Sequence, residues 1–173
     1  MTGALDGALF ATIWLSVLLF VAGEAGKRAA FARRGPRPWA WPVWSLGALL
    51  CGLHMLLAMG LRHAWSHQDA IRSTAVQTEA IYGIHWGGGV YVNYAFLAIW
   101  TAEVFWWRAR PSRYFGRPAA ATWMLRAFYL TVWFNAAVVF AAGARAFAGA
   151  LLMAVLLWIW RPRSTQSFYN RRQ

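Results

Sequence analysis

Acidic side chains are scarce in this chain. It carries 5 Asp and Glu among 173 residues against 17 Lys and Arg, a formal net charge of +12. Charged residues of both signs make up 13%, about half the share of an ordinary soluble domain. Cys51 is the only cysteine, which excludes an internal disulfide and any thiolate cluster for zinc or iron–sulfur. No Walker or Rossmann glycine pattern, nucleophile elbow or CxxC pair is present. A long polar stretch is missing too, so any large catalytic module would belong to a partner protein.

Hydrophobic residues supply 60% of the chain, gathered in long blocks. That pattern predicts an all-α, polytopic integral membrane bundle forming a single domain over 1–173. Five spans can be drawn, at about Ala4–Ala25, Val43–Leu61, Ile81–Trp107, Thr122–Ala142 and Ala144–Trp160. The first lacks a basic leader and reads as a retained span. The last is short, and a four-span chain with a re-entrant end is its alternative. The segment between the second and third spans has neither Pro nor Gly from His67 to Ala80, which predicts a short helix on the membrane surface. Arg outnumbers Lys 16 to 1 and Ala is abundant, a composition that points to a GC-rich bacterial genome.

A strongly basic chain suggests nucleic acid only when it is soluble. Here the basic residues cluster between apolar blocks, which argues against a nucleic-acid partner and for loops held in the cytoplasm. Lys27, Arg28, Arg33, Arg34 and Arg37 follow the first span, and Arg108, Arg110, Arg113 and Arg117 follow the third. Arg126 starts the fourth, and Arg161, Arg163, Arg171 and Arg172 end the chain. The opposite side holds Arg62, Arg72 and Arg145. The expected orientation is N-terminus outside and C-terminus cytoplasmic, in a bacterial inner membrane. Of the thirteen tryptophans, Trp39, Trp41, Trp44, Trp106, Trp107, Trp123, Trp158 and Trp160 fall at expected inner boundaries, and Trp65 and Trp86 at outer ones, where indoles anchor at headgroup level. Trp14, Trp100 and Trp133 lie deeper and read as packing.

The candidate chemistry lies with the histidines. His63 and His67 are four apart and would share a face of a continuous helix, and His85 enters from the same outer side. With Asp69 and Glu79 nearby, His63, His67 and His85 could hold a metal ion, or His63 and His85 a b-type haem. Protonation of the set could instead relay protons or sense pH. The alternative is boundary histidines that meet water and headgroups. His54 falls mid-span, one turn from Cys51 and near Met55 and Met59; it would face the interior as a ligand or as a neutral imidazole bonded to Asn93 or Asn135.

On the third span, Gly83 and Gly87 bracket His85 as a small-residue pair suited to close helix packing. Glu103 is eighteen residues beyond His85, five helical turns, so one stripe would carry an ionisable group at each boundary ~27 Å apart. Such a stripe suits a proton or quinone route, unless Glu103 only pairs with Arg108 or Arg126. Spans three and four, with Asn93, Glu103 and Asn135, are expected to form the polar interior, and spans one and five the periphery.

Two functions follow as expectations. One is a small membrane subunit of a bacterial redox or respiratory-type complex, anchoring partner subunits and holding a haem or metal near the outer face. The other is a cofactor-free accessory or assembly protein, with a small transporter further behind.

Overall fold

A computed structural model describes residues 2–32 and 37–161. Arg33, Arg34, Arg163, Arg171 and Arg172 lie outside the described residues. The described chain is helical, with no strand. Its elements are α1 Thr2–Ala32, α2 Ala40–His63, α3 His67–Tyr82, α4 Gly89–Ala109, α5 Pro111–Phe115, α6 Ala119–Phe134, a π-helical turn Asn135–Val139, and α7 Ala144–Trp160. Leu5–Arg28 in α1 and Ala40–His63 in α2 are each 24 residues and apolar enough to cross a membrane, with mean hydropathy 2.0 and 1.7. At 1.5 Å per residue such a helix reaches ~36 Å. Helix α7 is apolar but shorter.

Helices α1 and α2 form an antiparallel hairpin. Arg62 near the end of α2 pairs with Asp6 near the start of α1 at 2.6 Å. Small residues set the distance between the two helices: a Cβ on Gly26 would stand 2.5 Å from that of Ala40, and one on Gly23 would stand 2.6 Å from Cε3 of Trp44. Backbones this close exclude larger side chains. Ser16 Oγ donates to the Gly47 carbonyl at 2.8 Å across the same seam.

The remaining helices gather on this hairpin around Phe20 of α1, which is fully buried. Its ring meets those of Trp44, Trp100, Trp133 and Tyr129 at centroid distances of 4.8, 4.9, 5.1 and 5.2 Å. Helix α1 is therefore central, contrary to the peripheral place expected of the first span. Trp100 and Trp133 are buried packing residues as expected. Trp44, Trp107 and Trp160 are buried as well and do not act as boundary anchors, whereas Trp39, Trp106, Trp123, Trp158, Trp65 and Trp86 are exposed.

Two breaks change the expected helical register. Between α2 and α3 the chain turns on Ala64 and Trp65, whose φ angles of 45° and 63° are left-handed. Trp65 N–H donates to the Met59 carbonyl and Ser66 N–H to that of His63. The Ser66 hydroxyl then caps α3 by accepting from Asp69 N–H at 3.2 Å. His63 and His67 thus sit on different helices and share no face.

The second break lies at residues 83–88. Gly83, at φ 71°, ends α3 with its N–H on the Glu79 carbonyl. Gly87 packs against the Ile71 backbone, where a Cβ would stand 2.5 Å from the carbonyl oxygen. Helix α4 starts only at Gly89, so the Gly83–Gly87 pair makes a bend and not a helix–helix seam. The stripe expected to join His85 to Glu103 also fails, because His85 precedes the helix that carries Glu103.

The expected fourth span, Thr122–Ala142, becomes α6 plus the π turn, closed by the Phe140 N–H bond to the Asn135 carbonyl at 2.8 Å. Gly143 at φ 58° reverses the chain into α7. There Gly149 packs on the Ala137 carbonyl with no room for a Cβ.

Candidate functional site

The ends of α1, α4 and α7 meet the starts of α2 and α6 at one end of the molecule, and charged residues are buried there. Glu24, Lys27 and Glu103 are 6%, 2% and 3% exposed, so their charges are neutralised by the protein and not by water. Lys27 Nζ donates to Glu24 Oε1 at 2.8 Å, one turn away on α1, and stands 3.8 Å from Glu103 Oε2. Its remaining side is closed by the Trp44 ring, whose centroid is 3.1 Å away. Trp160 Nε1 of α7 donates to Glu24 Oε2 at 2.7 Å.

Glu103 is the other centre. Arg117 Nη1 and the Tyr114 hydroxyl donate to its Oε1 at 2.8 and 3.0 Å, and the Tyr129 hydroxyl donates to Oε2 at 2.7 Å. The Arg117 guanidinium also lies over the Tyr114 ring at 4.3 Å and donates from Nε to Thr122. Tyr114, from the short α5, stacks flat on Trp107 with centroids 5.5 Å apart. Burial pushes the Tyr114 phenol up to about 12, so it stays a neutral donor.

Glu24, Lys27, Glu103 and Arg117 carry two charges of each sign, and each carboxylate oxygen receives a donor. An ion cluster this dry is tolerable only when its lone pairs and protons are satisfied in this way. It ties α1, α4, α5, α6 and α7 at one point. Arg28, one turn past Glu24, extends the tie by donating to the Trp158 and Ile159 carbonyls at the end of α7. Those carbonyls have no partner within their own helix.

Glu103 was legible as a polar residue of the third span, but its partners were not. It pairs with Arg117 and Lys27 in place of Arg108 or Arg126. The sequence pattern does not single out Glu24 or Tyr114, and it places Lys27 and Arg117 in basic loops. A signal did exist: Glu24 and Lys27 are three apart at the end of an apolar block, and Lys27 is the sole lysine.

The histidines lie towards the opposite end and take separate partners. His67 is exposed, with Nδ1 3.2 Å from the Tyr94 hydroxyl and Nε2 3.3 Å from that of Tyr91. His85 holds Glu79 through Nδ1 at 2.6 Å, both side chains exposed. The His63 side chain is half-buried and makes no hydrogen bond among the described residues. Among those residues no three His, Cys, Asp or Glu side chains are grouped to hold a metal ion.

His54 faces α1, with Nδ1 3.1 Å from the Leu9 carbonyl and 3.4 Å from Thr12 Oγ1, so its partner is neither Asn93 nor Asn135. Asn93 is exposed. Asn135 accepts from the Tyr82 hydroxyl at 2.6 Å and donates to the Thr131 carbonyl, which fastens α3 to the π turn.

No protein-family model, curated protein or solved structure matches the chain.

Proposed function

We propose that the chain is a multi-pass protein of the bacterial inner membrane, crossing it five times with the N-terminus outside and the C-terminus in the cytoplasm. It serves there as a cofactor-free accessory or assembly subunit of a membrane complex, a redox or respiratory-type complex being the class first expected. Helices α1 and α2 have the length and hydropathy of spans. Helix α4, the run of α6 with its π turn, and α7 complete the five. The orientation rests on the basic residues Arg37, Arg108, Arg110, Arg113 and Arg161 at the charge-cluster end.

The observation that carries this reading is the interior itself. The space among α1, α2, α4 and α6 is filled by Phe20, Trp44, Phe96, Trp100, Tyr129 and Trp133, and the charged end is closed by its own side chains. Exposed aromatics at the histidine end, Trp65, Tyr82, Trp86 and Tyr91, offer a surface that partners can meet.

One observation favours the second reading, a haem- or metal-bearing redox subunit. Glu79 on His85 Nδ1 leaves Nε2 free, as carboxylates orient metal-bound imidazoles. The test is purification from native membranes in mild detergent, with absorption spectra before and after dithionite and metal analysis. The proposal expects a complex larger than the chain alone, with no Soret band and no stoichiometric metal from this subunit. A Soret band or one metal per isolated chain overturns the cofactor-free assignment.

A further inference from the structure

At the charged end, Arg126 of α6 and Arg161 at the end of α7 stand apart from the buried cluster. Arg126 of α6 is half-buried, yet no carboxylate lies within ion-pair distance of its guanidinium, which makes no hydrogen bond among the described residues. Its guanidinium rests between two indoles, 5.1 Å from the Trp123 ring centroid and 5.3 Å from that of Trp160. Glu24 attracts it through the protein, while Arg117 and Arg28 are close enough to repel it. Arg28 and Arg161 in turn share the Trp158 ring, at 5.9 and 4.8 Å. Arg126 and Arg161 thus form a basic edge on α6 and α7, floored by Trp123, Trp158 and Trp160, with Arg28 of α1 beside it holding the α7 carbonyls.

A half-buried guanidinium without a protein acceptor keeps its donors for a ligand, and a planar fork on an aromatic floor is suited to a phosphate. Exposed Trp123 and Trp158 add an interfacial apolar floor that acyl chains can cover. We infer that Arg126, with Arg161, binds the phosphate of an anionic phospholipid of the inner leaflet, its glycerol and acyl chains lying on Trp123 and Trp158. The inference rests on the proposed membrane placement. It makes the tie between α6 and α7 dependent on lipid, since no protein side chain neutralises Arg126.

The test is native mass spectrometry of the full chain, extracted from the membrane fraction into micelles with equimolar phosphatidylglycerol, cardiolipin and phosphatidylcholine. The wild type is expected to retain anionic lipid in preference to phosphatidylcholine. Arg126→Gln is expected to lower the retained anionic fraction about fivefold, the worth of one basic residue at an anionic surface. Arg126→Lys, which keeps the charge but not the planar fork, should retain an intermediate fraction, and Arg145→Gln, remote from the site, all of it. Circular dichroism melts of each variant separate lipid loss from unfolding. Equal retention by folded wild type and folded Arg126→Gln overturns the site. Displacement of the lipid by millimolar inorganic phosphate also overturns it, assigning a soluble anion instead. A chain recovered from the membrane fraction without anionic preference refutes the lipid site and leaves the membrane reading standing.

Discussion

The ammonium of Lys27 stands 3.1 Å from the centre of the Trp44 ring, and both side chains are sealed from solvent. In sequence, Lys27 opens a basic run that reads as a cytoplasmic loop. In the structure it lies within α1 and bridges Glu24 to Glu103. Replacing it with Met should leave Glu24 without its cation and one uncompensated buried negative charge in the cluster, and cost about 3–5 kcal/mol, as breaking a buried pair does. Thermal unfolding in detergent reads this. Adding Glu24→Gln to Lys27→Met should recover part of the loss, because it removes one uncompensated charge.

Glu103 and Arg117 should behave as a coupled pair. Glu103→Gln alone leaves the Arg117 and Lys27 cations facing a neutral amide, and Arg117→Gln alone leaves Glu103 short of its closest cation. A double-mutant cycle on these two should give a coupling energy near the upper part of the roughly 0.5–3 kcal/mol range for directly contacting residues. Additive effects would mean that the 2.8 Å contact contributes nothing.

The raised Tyr114 phenol sets a pH dependence. Its folded value of about 12 lies above the usual 10.0 of an unfolded chain, so the folded state holds the proton more tightly. Its contribution is full below pH ~10 and is lost as pH rises through ~12, at about 1.4 kcal/mol per pH unit within that window. Denaturant titrations at several pH values should show this fall, and Tyr114→Phe should reduce it.

Two glycines of one helix should respond with opposite sign. Alanine at Gly23 would drive its Cβ into the pinned Trp44 ring, an overpacking worth about 1–3 kcal/mol of destabilisation. Alanine at Gly7 meets nothing within 4 Å, and should stabilise the helix by about 0.5–1 kcal/mol. Thermal midpoints of the two variants decide it.

Ser66→Ala should loosen α3 without unfolding the rest. Loss of the cap on Asp69 N–H costs about 1 kcal/mol and falls on the first turn of that helix. Faster hydrogen exchange at Asp69 and Ala70, with α1 and α2 unchanged, is the expected pattern.

The helices were legible where apolar blocks are long, and α7 follows its expected bounds of Ala144–Trp160 without change. What stayed hidden was register. The reading of His63 with His67, and of His85 with Glu103, assumed continuous helices. The left-handed Ala64–Trp65 turn carries no glycine to announce it. Gly83 and Gly87 were visible, but a pair of small residues suits a close helix seam as well as a bend. The charge cluster was hidden for another reason: Arg117 reaches Glu103 only because α5 folds back under α4, and no local pattern specifies that return. Hydropathy also treats every indole at a block's edge alike, so it could not separate buried Trp44 and Trp160 from exposed Trp123 and Trp158.

The central claim is that the chain crosses the membrane with its histidine end outside and its buried charge cluster at the cytoplasmic end. Labelling of single cysteines in intact cells tests it most directly, since the one native thiol, Cys51, is buried and gives little background. Gln68→Cys on α3 and Ser112→Cys on α5 are both exposed positions. The account predicts that a membrane-impermeant maleimide labels the Gln68→Cys chain in cells with a permeabilised outer membrane, and labels the Ser112→Cys chain only after the inner membrane is broken. Labelling of both before lysis, or of Ser112→Cys alone, would contradict it.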